Sequence, residues 1–300
     1  MTSVRFLTLE HVNPRHRYGS TRLRVHNLLR YWPEAGLWRR GDRPDVLVLQ
    51  RVYRRFPRAP LTILDISDPD WDADWRVMDA VRQVDAVTCP TPGLAEFLRD
   101  QARQVLVIPD RHDVAALPAP REHHGRARRV VWFGWHHNAG PLSQLVPAVE
   151  RIGLDLTVVS DRDPRADRWA IQPREFRRRY FYRRFEWRSI HKILGGHDIC
   201  LVPRSGVPSD EFKSDNRETL SLLCGVPTAS CPATLLTLAN DAAARSRLAA
   251  EGRSWALANR DCRQSVSDMQ TLIARLRSST TPHPASRTLA DPASTAEGGR

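Results

Sequence analysis

Short, almost wholly apolar runs recur along the chain and alternate with stretches of helical period, a pattern that predicts strands and helices in strict succession. Strands are expected at residues 4–9, 46–50, 61–64, 86–89 and 105–108, and again at 130–133, 154–160, 199–203 and 227–230. Helices are expected at 21–32, 75–84 and 93–102 in the first half, and at 141–151, 187–194, 216–224 and within 235–277 in the second. Runs without polar alternation suit strands buried on both faces, so the fold class is α/β with mostly parallel sheets. Between the halves, residues 115–127 are rich in proline and small residues and lack any period. The expected organisation is a Rossmann-like N-terminal domain (1–115), a linker (116–128), a Rossmann-like C-terminal domain (129–277) and a disordered tail (278–300). Two such halves face each other across a cleft, and ligands of open parallel sheets bind at the carboxyl ends of the strands.

The segment 211–230 carries the most chemistry. Asp215 and Glu218 have capping-box spacing, Leu220, Leu222 and Leu223 give the following helix an apolar side, and Gly225 is a natural stop. The open amides of the helix start would then meet Lys213 and Arg217, an arrangement suited to phosphate. In the second half's first strand-to-helix loop, Gly134 permits close backbone approach, and His136, His137 and Asn138 can donate to phosphate or sugar oxygens. A ligand-free polar turn is the alternative for that loop.

Asp65, Asp68, Asp70, Asp72 and Asp74 fall within ten residues. Such a cluster can hold magnesium or manganese, but aspartates between a strand and a helix also serve as caps and turn formers. Asp65 and Asp68, nearest the strand end, are the candidates for a general base. His11, Arg22 and Arg24 follow the first strand, where a cleft-facing loop is expected. Being two apart on a helix, one arginine should face the cleft and the other solvent.

The net charge of +12 implies an acidic partner such as a nucleotide, nucleic acid or an anionic lipid surface, or a surface merely rich in arginine. Residues 174–188 interleave arginines with aromatics, which suits nucleic acid, an anionic membrane surface, or packing on the second domain. Cys89, Cys200 and Cys224 lie in or beside apolar runs and none of the five cysteines shows metal-type pairing, so reduced thiols and a cytoplasmic protein, peripheral to a membrane at most, are expected.

Residues 20–29, 105–113, the Gly134 loop, and 198–203 followed by 213–230 together resemble the GT-B glycosyltransferases, in particular the large group 1 (family 4-like) set whose C-terminal domain holds a nucleotide-sugar donor. The resemblance runs to about residue 277. It implies transfer of a sugar from a nucleoside-diphosphate sugar to an acceptor, with no metal and no cofactor beyond that co-substrate. Donor binding would fall to Gly134, His136, His137, Asn138, Lys213, Ser214, Asn216 and Arg217, with Asp65, Asp68 and His11 as catalytic candidates. Many members carry two glutamates here; the second, five positions before Gly225, is Leu220, and the first is Phe212. The Lys213-Ser-Asp-Asn-Arg217 run instead resembles a subgroup with basic and amide groups at the donor. A transferase acting on modified bases in DNA, and a non-catalytic nucleotide-sugar or partner-binding module, are the alternative readings.

Overall fold

The structure, a computed structural model, describes residues 2–14, 18–54, 56–72, 74–166 and 179–279. Strands β1 (Val4–Thr8), β2 (Ala35–Leu37), β3 (Val46–Gln50), β4 (Leu61–Asp65), β5 (Ala86–Cys89) and β6 (Val105–Val107) form one sheet in the order β2-β1-β3-β4-β5-β6. Strands β7 (Arg129–Phe133), β8 (Asp155–Ser160), β9 (Tyr180–Arg184), β10 (Ile199–Leu201) and β11 (Thr228–Ala229) form a second, ordered β11-β10-β7-β8-β9. Every pairing in both is parallel.

The apolar runs are continuous because each sheet is covered on both faces. In β3, Val46 and Val48 join the core on one side while Leu47 and Leu49 join the core on the other. The second sheet divides likewise, with Val130 and Trp132 on one face and Val131 and Phe133 on the other. Strand order reverses at β1/β3 in the first sheet and at β7/β10 in the second, and such reversals open a crevice beyond the carboxyl ends of the strands.

Several expectations are adjusted by the structure. The short strand β2 and the edge strand β9 are additional; β9 arises within the arginine and aromatic segment, of which residues 174–178 lie outside the described residues. Within it, Tyr180 packs on one core and Phe185 and Trp187 on another, while Phe181 stays exposed. The helix foreseen at 141–151 begins as a 3-10 turn, Gly140–Gln144, before Val146–Ile152, because Pro147 suits only a first helical turn.

The helix Cys262–Ser278, counted above with the second half, lies on the first sheet. Val266, Met269, Leu272, Ile273 and Leu276 pack against Val4, Phe6, Val25, Leu28 and Trp32. At about 1.5–3 kcal/mol per buried side chain, that return contributes on the order of 10 kcal/mol and ties the two halves together. The linker is fixed too. Gly225, at φ +73°, lets Pro120 and Arg121 pass so closely that a Cβ would sit 2.7 Å from both, and Arg121 pairs with Asp198.

A candidate active site between the two sheets

From the first domain, β3 and β4 end in a charged cluster. Arg51, just past β3, is held at φ +54°, a left-handed conformation that costs a side-chain-bearing residue strain. Its guanidinium bridges Asp70 at 2.5 Å and Asp68 at 3.0 Å, and Tyr53 donates to Asp70. The Asp68 side chain keeps 51% of its exposure. Cleft desolvation nevertheless raises its pKa above the usual carboxylate value, with Asp70 and Asp110 adding to the rise and Arg51 opposing it. Asp68 is therefore half-exposed, lies just beyond the end of β4 and holds its proton more readily than an ordinary carboxyl.

Asp65 has a different environment. Arg24 forks onto it at 2.6–2.9 Å and Thr88 donates at 2.6 Å, all buried. Burial opposes the charge on Arg24, but Asp65 and Asp110 together hold it firmly protonated. His11 is also occupied. Its Nδ1 accepts from the Thr8 amide at 3.1 Å, leaving Nε2–H to donate to the Trp38 carbonyl at 3.0 Å, so the ring closes a turn. Of the three catalytic candidates, Asp68 stays half-exposed although paired with Arg51, while Asp65 and His11 are wholly committed to protein partners. Neither Arg22 nor Arg24 faces solvent, because their helix runs through the crevice with protein on two sides: Arg24 reaches into the first domain and Arg22 lies on Trp187 of the second.

On the second domain, the Gly134 loop is shaped by Asp161. Asp161 accepts from the His136 amide at 2.9 Å and the Trp135 indole at 3.0 Å, and pairs with His136 Nδ1 at 2.6 Å. Burial raises the Asp161 pKa, yet the bonds from His136 and Ser160 outweigh it and hold the carboxyl below its usual range. His136 is thus a buried part of the loop's frame, while His137 and Asn138 stand exposed at its tip.

The run from Lys213 to Arg217 separates by function. Lys213 pairs with Asp210 at 2.9 Å, Ser214 donates to Asp110 at 2.7 Å, and Asn216 donates to Ser214 at 2.7 Å and to Asp110 at 3.4 Å. Asp215 and Glu218 form no capping box: Asp215 turns to Arg260 at 2.7 Å and Glu218 to Arg204 at 3.4 Å. The capping sites are lost because two arginines outcompete backbone amides for the carboxylates. Helix Asn216–Leu223 consequently starts without a side-chain cap.

Arg217 is the member of this run left with an unmet donor. Its Nη1 is buried without a hydrogen-bond partner, 3.5 Å from where a Cβ on Gly134 would stand, with the Trp132 ring 6.0 Å away. Desolvation lowers its pKa, and the Arg204 charge lowers it further. Uncapped amides, an unpaired guanidinium and a glycine beneath it converge at the β7/β10 reversal.

Neither family glutamate position could bring a carboxylate here. Leu220 is 2% exposed in the core of the second domain, and Phe212 docks on the first domain against the stacked Trp71 and Phe97 rings, edge-on to each at 5.9 and 6.0 Å. Gly93 permits that docking, since a Cβ there would lie 2.9 Å from the Glu211 carbonyl. Residues that sequence reasoning did not single out include Arg51, Asp110, Asp161 and Arg204. Their partners are distant in sequence, and the local signal that Arg51, Asp161 and Arg204 share, a place immediately after an expected strand, does not reveal those partners.

No protein-family model matches this sequence, and no curated protein matches it in sequence. Solved structures do. AviGT4, a glycosyltransferase involved in avilamycin A biosynthesis, is 13% identical with a TM-score of 0.59 over 93% of this chain and 98% of that one. The T4 phage enzyme BGT, solved with its UDP-glucose substrate, is 8% identical with a TM-score of 0.59 over 91% and 99%. For S. aureus TarM the values are 8% and 0.56, over 77% of this chain but only 55% of TarM, so the chain spans about half of that protein. At such identities the likeness is one of architecture: two Rossmann-like domains with parallel sheets facing across a crevice, the GT-B fold.

Proposed function

We propose that this chain is a glycosyltransferase that moves a sugar from a nucleoside-diphosphate sugar to an acceptor hydroxyl, without a metal ion. The observation that carries the reading is Arg217, whose buried Nη1 lacks a partner beside the uncapped start of Asn216–Leu223. A buried donor without a hydrogen-bond partner costs stability, and a diphosphate supplies the missing acceptor. Asp68 acts as base. The acceptor oxygen attacks the anomeric carbon, its proton passes to Asp68, and the bond from that carbon to the diphosphate oxygen breaks. The charge that gathers on the leaving diphosphate falls on Arg217 and the helix amides, the electrostatic help a metal would otherwise give. Exposed His137 and Asn138 line the donor pocket. The likeness in fold to AviGT4 and to UDP-glucose-binding BGT supports a sugar-nucleotide ligand.

A thermal-shift panel of nucleotide sugars tests the binding step, since a ligand of the folded state raises apparent stability. Mass spectrometry of the same mixtures with and without EDTA tests transfer. Absence of any shift across the panel would remove the donor assignment. Binding with no product would favour a non-catalytic module, and loss of turnover in EDTA would remove metal independence.

A second reading places the acceptor in DNA. It is favoured by the charge of +12 and by the likeness in fold to BGT, described as a DNA-modifying enzyme. Retention on duplex DNA that falls steeply with salt would support it, and no retention at low salt would end it.

A further inference from the structure

Arg22 opens the irregular π turn Arg22–His26 within the helical run from Gly19 to Leu29, the kind of local unwinding often found where a helix serves a ligand. Its guanidinium carbon lies over the ring of Trp187 in the opposite domain, 3.4 Å from the centroid. Its Nε is buried and bonded to nothing. The carboxylate that influences it, Asp110, is already committed: one oxygen to Arg24, the other to Ser214 and Asn216. Desolvation accordingly lowers the Arg22 pKa to about 9, with Asp110 only partly opposing the fall. An arginine half-buried at a domain boundary, beside a saturated acid, is a cation awaiting an anion.

Its neighbours fit one. His112 donates from Nε2 to the Asn216 carbonyl at 3.1 Å, and its Nδ1 is a second buried atom without a partner. Burial, reinforced by Arg22, lowers the His112 pKa to about 4 and also lowers that of His191, which packs edge-on against Trp187 at 4.6 Å. Both rings are therefore neutral near pH 7. A donor at Arg22 Nε and a bare acceptor at His112 Nδ1 suit an oxyanion joined to a hydroxyl-bearing group.

We propose that Arg22 is a second phosphate-binding position in the crevice, supplied by the first domain and distinct from Arg217. It deepens the transferase reading, on which its role in catalysis rests. The phosphate comes from one of two sources, the distal phosphate of the donor or a phosphate on the acceptor.

Calorimetric titration of wild type and R22Q decides the matter, using inorganic phosphate, the tightest-binding of UDP, GDP, ADP and dTDP, and the matching monophosphate. A loss of roughly tenfold in R22Q for the diphosphate but not the monophosphate supports the site and assigns the donor. A loss confined to inorganic phosphate, measured on protein saturated with diphosphate, supports the site and assigns the acceptor. Unchanged affinities in every titration overturn the proposal and leave Arg22 as a domain clip on Trp187. R22K, which keeps the charge but lacks the Nε–H, is expected to show the same loss and serves if R22Q does not fold. If no nucleotide binds while phosphate binding still depends on Arg22, the donor reading fails and this site stands.

Discussion

Replacing Arg217 by methionine should move stability and ligand affinity in opposite directions. The Arg217 side chain is partly buried, its Nη1 is sealed from solvent without a partner, and burial lowers its pKa. In the free protein it therefore contributes a desolvation cost that no ion pair offsets. Methionine keeps the contacts of the stem beside Trp132 and Gly134 and removes that cost, so the free protein should gain on the order of 1 kcal/mol. For a chain of 300 residues that is a rise of about 1.5 °C in Tm. With a diphosphate bound, the arginine would make charge-assisted hydrogen bonds worth about 1.5–3 kcal/mol. R217M should then weaken nucleoside-diphosphate binding by roughly 10- to 150-fold. Differential scanning calorimetry of the free variant and isothermal titration with the diphosphate read the two effects separately. A variant that is less stable than wild type and binds the diphosphate as well would refute the reasoning, because Arg217 would then be a packing residue.

Three other outcomes follow from the geometry. D68N should lower kcat by about 10²–10⁴-fold with donor affinity unchanged, and the acid limb of the wild-type pH–rate profile, set by a carboxyl raised above its usual value, should vanish in the variant. G225A must bring a Cβ to 2.7 Å from Pro120 and Arg121 at a φ of +73°, so it should cost about 2 kcal/mol or more, read as a fall in Tm. Buried His112, lowered to about 4 from an unfolded value near 6.5, binds its proton more readily in the unfolded chain. Its contribution is full above about pH 6.5 and is lost as pH falls toward 4, and H112Q should flatten the stability profile in that window.

Much of the fold was legible because a two-sided parallel sheet writes itself as apolar runs of four to six residues. Strands β3 and β5 appear where the sequence places them, and β1, β4, β7 and β8 within a residue at each end. β2 was not legible, since Ala35, Gly36 and Leu37 have no strand pattern and pair only because β1 presents an open edge. β9 was hidden among arginines, whose side chains an edge strand can send to solvent. The capping box failed because Arg260 and Arg204, 45 and 14 residues from their partners, claim the two carboxylates.

The segment 213–217 shows where sequence ends and tertiary structure begins. Its composition sufficed to place phosphate-suited groups at a helix start, because helix termini and glycine-closed loops follow from local backbone preference. Which side chain remains available was decided by partners from elsewhere in the chain: Asp210 for Lys213, Asp110 for Ser214 and Asn216, Arg260 for Asp215. Likewise, nearness to the strand end set Asp65 and Asp68 apart from the other three aspartates but not from each other, and only the positions of Arg24 and Arg51 separate a sealed Asp65 from a half-exposed Asp68. Periodicity is a local property that burial imposes on every strand and helix. The charge state and availability of a side chain depend on neighbours that only the folded crevice brings together.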